Sequence, residues 1–223
     1  MCFCEMEVSM LGTSRPRILI ADDHALVAEA FKTLLAGEFD VVATVHDGRS
    51  LIQTAQRVKP DVILVDVGMP LLNGLEAAQR IKRMLPRVKV VYVTINQDQD
   101  LVNEAFLKGA SAYLPKTSVA SELITAIHAV LSGKQYVSPL LPTAASNFGQ
   151  PKESPGARSD LTERQIEVLQ LLAEGRSMKE VAAELNLTTR TVAFHKYRIM
   201  EHLQLRNDAE VVQYAMRHHV VFG

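Results

Sequence analysis

Five short apolar runs rich in β-branched residues alternate with helical patterns over residues 17–133. The runs are Arg17–Asp22, Phe39–Val45, Asp61–Asp66, Val88–Thr94 and Ser111–Leu114. Most of them are continuously apolar, which is typical of parallel strands that are buried on both faces. Between the runs, apolar residues recur at helical spacing, as in the stripe from Leu26 to Leu35 that ends before Gly37. This alternation predicts an α/β fold with a doubly wound, five-stranded parallel sheet.

The rest of the chain has a different composition and predicts a second domain. Residues 138–160 hold four of the nine prolines and two glycines, with little apolar periodicity, which is typical of a linker. Beyond the linker only short helices are indicated, and two of them are joined by a tight turn, as in a helix-turn-helix. We therefore predict a flexible N-terminus (1–16), a sheet domain (17–137), a linker (138–160) and a small all-α domain (161–223).

Composition limits the cellular compartments in which the protein can work and the kinds of partner that its surface can bind. The chain carries 24 Lys and Arg against 25 Asp and Glu, so a nucleic-acid surface must come from local clustering of charge. No apolar run approaches the roughly 20 residues that a membrane helix needs, and the N-terminus lacks the pattern of a secretory signal. The only cysteines, Cys2 and Cys4, indicate a reducing compartment and form a weak metal motif. We expect a cytoplasmic protein that does not enter the membrane.

Polar residues whose side chains can bind a metal ion or react lie where the predicted strands end. Asp22 and Asp23 close the first strand, and Asp66 closes the third. Thr94 ends the fourth strand and Lys116 follows the fifth. Because parallel strands present their carboxyl ends at one edge, these side chains should converge on one site. Carboxylates this close repel one another and need a cation, and their oxygen atoms favour Mg²⁺. A carboxylate beside Mg²⁺ can accept a phosphoryl group, which Lys116 would neutralise and Thr94 would bind.

Residues 17–133 resemble the receiver domain of bacterial two-component response regulators, which has a flavodoxin-like fold. The motifs that carry the resemblance are IADDH, LVDVGMP, VYVTI and AYLPK. The resemblance implies that Asp66 accepts a phosphoryl group from a sensor histidine kinase. It also implies a Mg²⁺ site formed by Asp22, Asp23, Asp66 and the backbone carbonyl of Gly68.

The resemblance further implies a conformational switch beside the phosphoacceptor. Tyr113 matches the aromatic residue of the family that moves together with Thr94. Ile95 follows Thr94 where the family usually has alanine. We expect this extra bulk to hinder the inward turn of Tyr113.

Residues 161–205 resemble the LuxR-type helix-turn-helix of the NarL/FixJ class. The framework that matches includes LTER at 161–164, AEG at 173–175, KEVA at 179–182 and TV at 191–192. The resemblance implies a recognition helix over residues 188–203 and a last helix that mediates dimerisation on DNA. Residues 188–206 carry four Arg and Lys against one Glu, and such a basic helix is typical of phosphate contact.

The positions expected to contact DNA depart from those of many relatives, which carry lysine where this chain has Ala193. The family's DNA-contacting positions can be carried over to this chain residue by residue. The resemblance then implies that the residues contacting phosphate are Lys179, Thr188, Thr191, Lys196 and Arg198. The groove-facing set is Ala193, Phe194 and Tyr197, which is unusually apolar. Apolar side chains in the major groove favour the methyl group of thymine over guanine. One alternative stays open: Phe194 packs inward against the preceding helix and leaves Tyr197 alone to contact bases.

Together these features predict a phosphorylation-controlled, DNA-binding transcription regulator. It would catalyse only its own phosphorylation and dephosphorylation at Asp66. It would form a homodimer on phosphorylation or on double-stranded DNA, and the signal would release or pair the helix-turn-helix domains.

Two other functions remain open at the level of sequence. The first is a Mg²⁺-dependent phosphatase for small molecules that uses Asp66 as its nucleophile. Gly68 disfavours it, because such enzymes keep a second acid two residues after the nucleophile. The other is a regulator that acts through protein contact without phosphorylation.

Overall fold

A computed structural model of the protein describes residues 15–118, 120–141 and 161–221. Within these ranges a parallel sheet with helices on both faces precedes a helical domain. The segment 1–14, which holds both cysteines and most of the predicted flexible N-terminus, lies outside the described residues. Most of the predicted linker, residues 142–160, also lies outside them.

The sheet confirms the doubly wound α/β class and contains one strand more than predicted. Its strands are β1 (Arg17–Ala21), β2 (Asp40–Val45), β3 (Val62–Val65), β4 (Lys89–Thr94), β5 (Ala112–Pro115) and β6 (Tyr136–Val137). They are parallel neighbours in the order β2-β1-β3-β4-β5-β6. The prediction of five strands was wrong because β6 has only two residues, too few to form an apolar run.

Helices cover both faces of the sheet. They are α1 (Ala25–Leu35), α2 (Gly48–Val58), α3 (Gly74–Met84), α4 (Gln99–Leu107) and α5 (Ala120–Leu131). Successive residues of a strand point to opposite faces, and Leu19 and Ile20 of β1 accordingly belong to two different cores. The core that contains Leu19 lies under α2, α3 and α4, and the core that contains Ile20 lies under α1 and α5.

The C-terminal domain consists of four helices in the described residues up to 221. They are α6 (Glu163–Ala173), α7 (Met178–Glu184), α8 (Thr189–His202) and α9 (Asp208–Arg217). Ser177 and Glu180 form a capping box at the start of α7, and the Thr188 side chain caps α8. Asn186 turns the chain between α7 and α8 with a φ of 51°, a left-handed conformation that asparagine tolerates well. These two helices form the helix-turn-helix.

The described start of the predicted linker packs onto the sheet domain. Ser138 is buried, and Leu141 is part of the core that contains Leu19. Ser138 donates its backbone N–H to the carbonyl of Tyr113 in β5 at 3.1 Å. The sheet domain therefore includes residues up to Leu141.

The loop between β3 and α3, residues 66–73, is held by two close backbone approaches. A Cβ atom at Gly74 would lie 2.0 Å from the carbonyl oxygen of Asp66. At Gly48, a Cβ atom would lie 1.9 Å from the carbonyl oxygen of Leu72. Real Cβ atoms do not approach backbone so closely, so both positions need glycine and the loop has little room to move.

We expect Gly74→Ala to lower the free energy of unfolding by about 1–3 kcal/mol, because the new methyl group overlaps the backbone of Asp66. Urea denaturation monitored by far-UV circular dichroism measures the change. Gly37→Ala is the matched control, since a Cβ atom there meets nothing within 4 Å. Equal stability of the Gly74→Ala and Gly37→Ala variants would contradict the close packing of the loop.

Candidate functional site

Three of the predicted site residues meet at the carboxyl ends of the strands. Asp22 directly follows β1, Asp66 directly follows β3, and Lys116 directly follows β5. The Nζ atom of Lys116 lies 2.8 Å from Oδ2 of Asp22 and 2.7 Å from Oδ2 of Asp66. Both carboxyl groups are buried. One ammonium group therefore bridges two carboxylates across the middle of the sheet.

Burial and charge act in opposite directions on these groups. Burial raises the pKa of Asp22 above its ordinary value, and the nearby charge of Asp66 adds to this, although hydrogen bonds with Lys116 and His24 work the other way. Burial by itself would lower the pKa of Lys116, but its bonds to the two carboxylates raise it overall. Lys116 is therefore positively charged.

Asp23 and a histidine complete the acidic cluster. Side-chain ligand atoms of Asp22, Asp23, His24 and Asp66 all lie within 4.8 Å of one another. His24 was not singled out from the sequence, although its place directly after the acidic pair was a signal; its Nδ1 atom lies 2.9 Å from Oδ1 of Asp23. Among the described residues, three carboxyl groups surround the ammonium group of Lys116, and such an oxygen-rich set suits a hard divalent cation. The residues present therefore fit Mg²⁺.

Gly68 lies beside the carboxyl group of Asp66. Its backbone N–H points to Oδ1 of Asp66 at 3.4 Å, a long hydrogen bond. The loop thus turns back toward the carboxylate two residues after it. This places Gly68 next to the acidic cluster.

The predicted switch residues are joined through Asn96, which sequence analysis missed. The Tyr113 hydroxyl donates to the carbonyl oxygen of Asn96 at 2.9 Å, and the N–H of Asn96 points to Oγ1 of Thr94 at 3.3 Å. Tyr113 is fully buried, and burial raises its pKa far above the ordinary value. The expected hindrance by Ile95 is wrong, because the Ile95 side chain points to solvent (72% exposed) and Tyr113 is turned inward.

Aromatic side chains project from the outer face of α8. Phe194 is 62% exposed and Tyr197 is 67% exposed, although large aromatic residues are usually buried. Ala193 lies beside Phe194 and is partly exposed. The alternative of an inward Phe194 is therefore wrong. Val192 and Ile199 on the opposite face are buried in the core, and Met200 packs against it.

The predicted phosphate-contacting residues differ in their freedom to reach DNA. Lys179, Thr188 and Arg198 are exposed, and Thr191 is partly exposed. Lys196 is only 15% exposed, and its Nζ atom lies 2.6 Å from Oδ1 of Asp208 at the start of α9. A contact between Lys196 and DNA would require this ion pair to open.

Comparison with protein-family models assigns both domains. Residues 18–128 match the response regulator receiver domain, and residues 159–215 match the bacterial regulatory proteins of the luxR family. In the described part of the chain, no helix is both long enough and apolar enough to cross a membrane.

The chain matches similar proteins over nearly their full length. The chain is 35% identical to the transcriptional regulatory protein LnrK of Bacillus subtilis, over 92% of this chain and 98% of that protein. It is 34% identical to the oxygen regulatory protein NreC of Staphylococcus aureus, over 90% of this chain and 97% of that protein.

A solved structure of a LuxR-family two-component response regulator from Aurantimonas matches the chain with a TM-score of 0.55. It is 31% identical, and the match covers 56% of this chain and 91% of the other.

The fold, the acidic cluster and the helix-turn-helix define a DNA-binding response regulator rather than a catalytic enzyme. Within that class the chain belongs to the LuxR-type response regulators, in which a receiver domain controls a transcription factor. A receiver domain implies a kinase partner, and the LuxR-type domain binds DNA.

We expect Lys116→Met to lower the free energy of unfolding by about 1–3 kcal/mol at pH 7, because two buried carboxylates lose the cation that they share. Thermal or urea denaturation at low salt and without divalent cations measures the difference. Lys134→Met, which removes an exposed lysine from the same domain, serves as the control and should have little effect. If both variants were equally stable, the bridge would contribute nothing to the fold.

Proposed function

We propose that Asp66 is the phosphoacceptor of this regulator and that a sensor histidine kinase is the donor, with Mg²⁺ as cofactor. The observation that carries the proposal is the bridge from Lys116 to Asp22 and Asp66, which fixes one oxygen of the Asp66 carboxylate and leaves the other beside Gly68. A lysine in this position can neutralise the charge of an incoming phosphoryl group.

In the proposed reaction Oδ1 of Asp66, the carboxylate oxygen that Lys116 does not bind, attacks the phosphorus atom of a phosphohistidine. A phosphorus–oxygen bond forms, the phosphorus–nitrogen bond breaks, and the histidine nitrogen leaves with its electron pair and takes up a proton. Asp22, Asp23, Asp66 and the Gly68 carbonyl are the groups that would hold Mg²⁺. When bound, this ion neutralises charge on the phosphoryl oxygens.

After phosphorylation, residues of the receiver domain would link the new phosphoryl group to Tyr113. The Thr94 hydroxyl would bind a phosphoryl oxygen, and movement of Thr94 would disturb the backbone of Asn96, to which both Thr94 and Tyr113 are bonded. Through its bond to Asn96, Tyr113 would connect the phosphorylation site with the loop that leads into α4. We propose that this change alters homodimerisation and thereby DNA binding.

We propose that α8 enters the major groove and that Phe194 and Tyr197 contact base edges there. Their exposure supports this role, since apolar side chains in the groove discriminate through the thymine methyl group. Lys179, Thr188, Thr191 and Arg198 would contact phosphates. Because the aromatic side chains of α8 are already exposed, we favour pairing of the domains over release as the effect of the signal. A protein with this role works in the cytoplasm, where chromosomal DNA lies.

The phosphoacceptor assignment predicts that Asp66→Asn abolishes acid-labile labelling by acetyl phosphate in the presence of Mg²⁺, because an amide does not attack phosphorus. Phosphate-affinity gel electrophoresis measures the labelled fraction. Asp100→Asn removes an exposed carboxylate of the same domain and should label like wild type. Equal labelling of Asp66→Asn and wild type would refute the assignment.

The ion pair of Lys196 predicts that Asp208→Asn strengthens non-specific DNA binding. Freeing one lysine adds one phosphate contact, so the slope of log K against log salt should steepen by about one unit. Fluorescence anisotropy on a random duplex between 50 and 200 mM salt measures the slope. The control, Glu29→Gln, removes an exposed carboxylate of the receiver domain and should leave the slope unchanged. An unchanged slope for Asp208→Asn would show that Lys196 does not reach DNA.

A further inference from the structure

The amide of Gln170 in α6 bonds to both ends of the segment Met69–Asn73, in the loop that follows Asp66. Its Oε1 atom accepts the backbone N–H of Asn73 at 2.8 Å, and its Nε2 atom donates to the carbonyl oxygen of Met69 at 3.0 Å. The chemistry fixes this orientation of the amide, because the reverse one would place donor against donor. Gln170 is only 1% exposed.

Asn73 supplies a third hydrogen bond between the loop and the DNA-binding domain. Its Nδ2 atom donates to the carbonyl oxygen of Val220, which follows α9, at 3.2 Å. Its Oδ1 atom accepts the N–H of Glu76 and caps α3. Asn73 is fully buried, so loss of these partners would leave polar atoms unsatisfied away from water. The loop therefore depends on the second domain to satisfy its backbone.

Opposite charges surround this contact. In the receiver domain, Arg80 donates to Oε1 of Glu167 in α6 at 2.6 Å, and Arg49 donates to the carbonyl oxygen of Glu184 in α7 at 2.8 Å. Burial by itself would raise the pKa of Glu167, but hydrogen bonds from Arg80 and Arg164 lower it overall. Glu167 is therefore ionised at neutral pH, and the two surfaces are complementary in charge.

We call the two hydrogen bonds from Gln170 to Met69 and Asn73 the clamp. The segment that it holds begins three residues after Asp66 and one residue after Gly68. The loop is already confined at Gly74 and Gly48, so a restraint on Met69 and Asn73 passes directly to Gly68. Side chains whose own positions are fixed by hydrogen bonds are what hold a functional site in its productive geometry.

We propose that Gln170 is a positioning residue for the phosphorylation site, so that the DNA-binding domain holds the loop that presents Asp66 and the Gly68 carbonyl. This inference rests on the proposed phosphorylation of Asp66. Without the clamp the loop samples more conformations, and the Gly68 carbonyl is aligned for Mg²⁺ a smaller fraction of the time. A greater Mg²⁺ concentration is then needed for the same rate, whereas the rate at saturating Mg²⁺ is largely kept.

The first part of the test is hydrogen–deuterium exchange of the full chain without Mg²⁺ or phosphodonor. Gln170→Leu keeps the helix propensity and the approximate size of the side chain. It removes both hydrogen bonds to the loop, together with the one that Nε2 donates to Oε1 of Glu174 at the end of α6. We expect exchange of the amide of Asn73 to become at least tenfold faster. Gln213→Leu, on the exposed face of α9, is the matched control and should exchange like wild type.

The second part is labelling of the full chain by acetyl phosphate over a range of Mg²⁺ concentrations. The carboxylate of Asp66 forms a bond to phosphorus, the bond from phosphorus to the acetate oxygen breaks, and acetate leaves with the electron pair. We expect Gln170→Leu to raise the half-saturating Mg²⁺ concentration at least threefold while changing the saturating rate less than twofold.

Arg80→Gln provides a second variant that weakens the same contact from the receiver side, in case Gln170→Leu fails to fold by circular dichroism. It should shift exchange and Mg²⁺ dependence in the same direction. Faster exchange with unchanged Mg²⁺ dependence would make the clamp purely structural and overturn the inference, as would unchanged exchange. Absence of labelling in the wild-type protein would instead refute the proposed phosphorylation itself.

Discussion

The ion bridge from Lys116 to Asp22 and Asp66 is the interaction on which the receiver site depends. It joins residues from the ends of three strands that are separated in sequence but meet at one edge of the sheet. Burying two carboxylates side by side is unfavourable, as the raised pKa of Asp22 indicates. The site is stable because the sheet places the ammonium group of Lys116 between the two carboxyl groups. A parallel sheet with a different strand order would separate these charges.

Much of this arrangement could be predicted from sequence, because it follows from local patterns. Continuous apolar runs locate the strands, and strand ends locate the acidic residues and Lys116. The strand β6 was missed because two residues carry no periodicity. The orientation of Ile95 was also misjudged, since the direction of a side chain after a strand depends on the path of the loop. Gln170 and Asn73 are 97 residues apart in different domains, and no local pattern connects an amide with a distant backbone.

The near-neutral charge of the DNA-binding domain conceals two opposite surfaces. Residues 157–223 hold nine basic and nine acidic side chains. Glu163, Glu167 and Glu184 pair with arginines of the receiver domain, whereas α8 carries a net positive charge on another side. Summed charge therefore gives no sign of either surface. The acidic side pairs with the receiver domain, whereas on the basic side Arg190 is exposed and Lys196 is paired with Asp208.

Docking through α6 rather than α8 has a kinetic consequence. The aromatic side chains of α8 that we propose as base contacts are exposed, so they would reach a duplex without a preceding step in which the domains separate. The rate of first encounter would then be set by diffusion and by the basic residues of the helix. A signal that pairs two such molecules acts chiefly on how long they stay bound. Under this scheme, occupancy of an operator is governed by residence time.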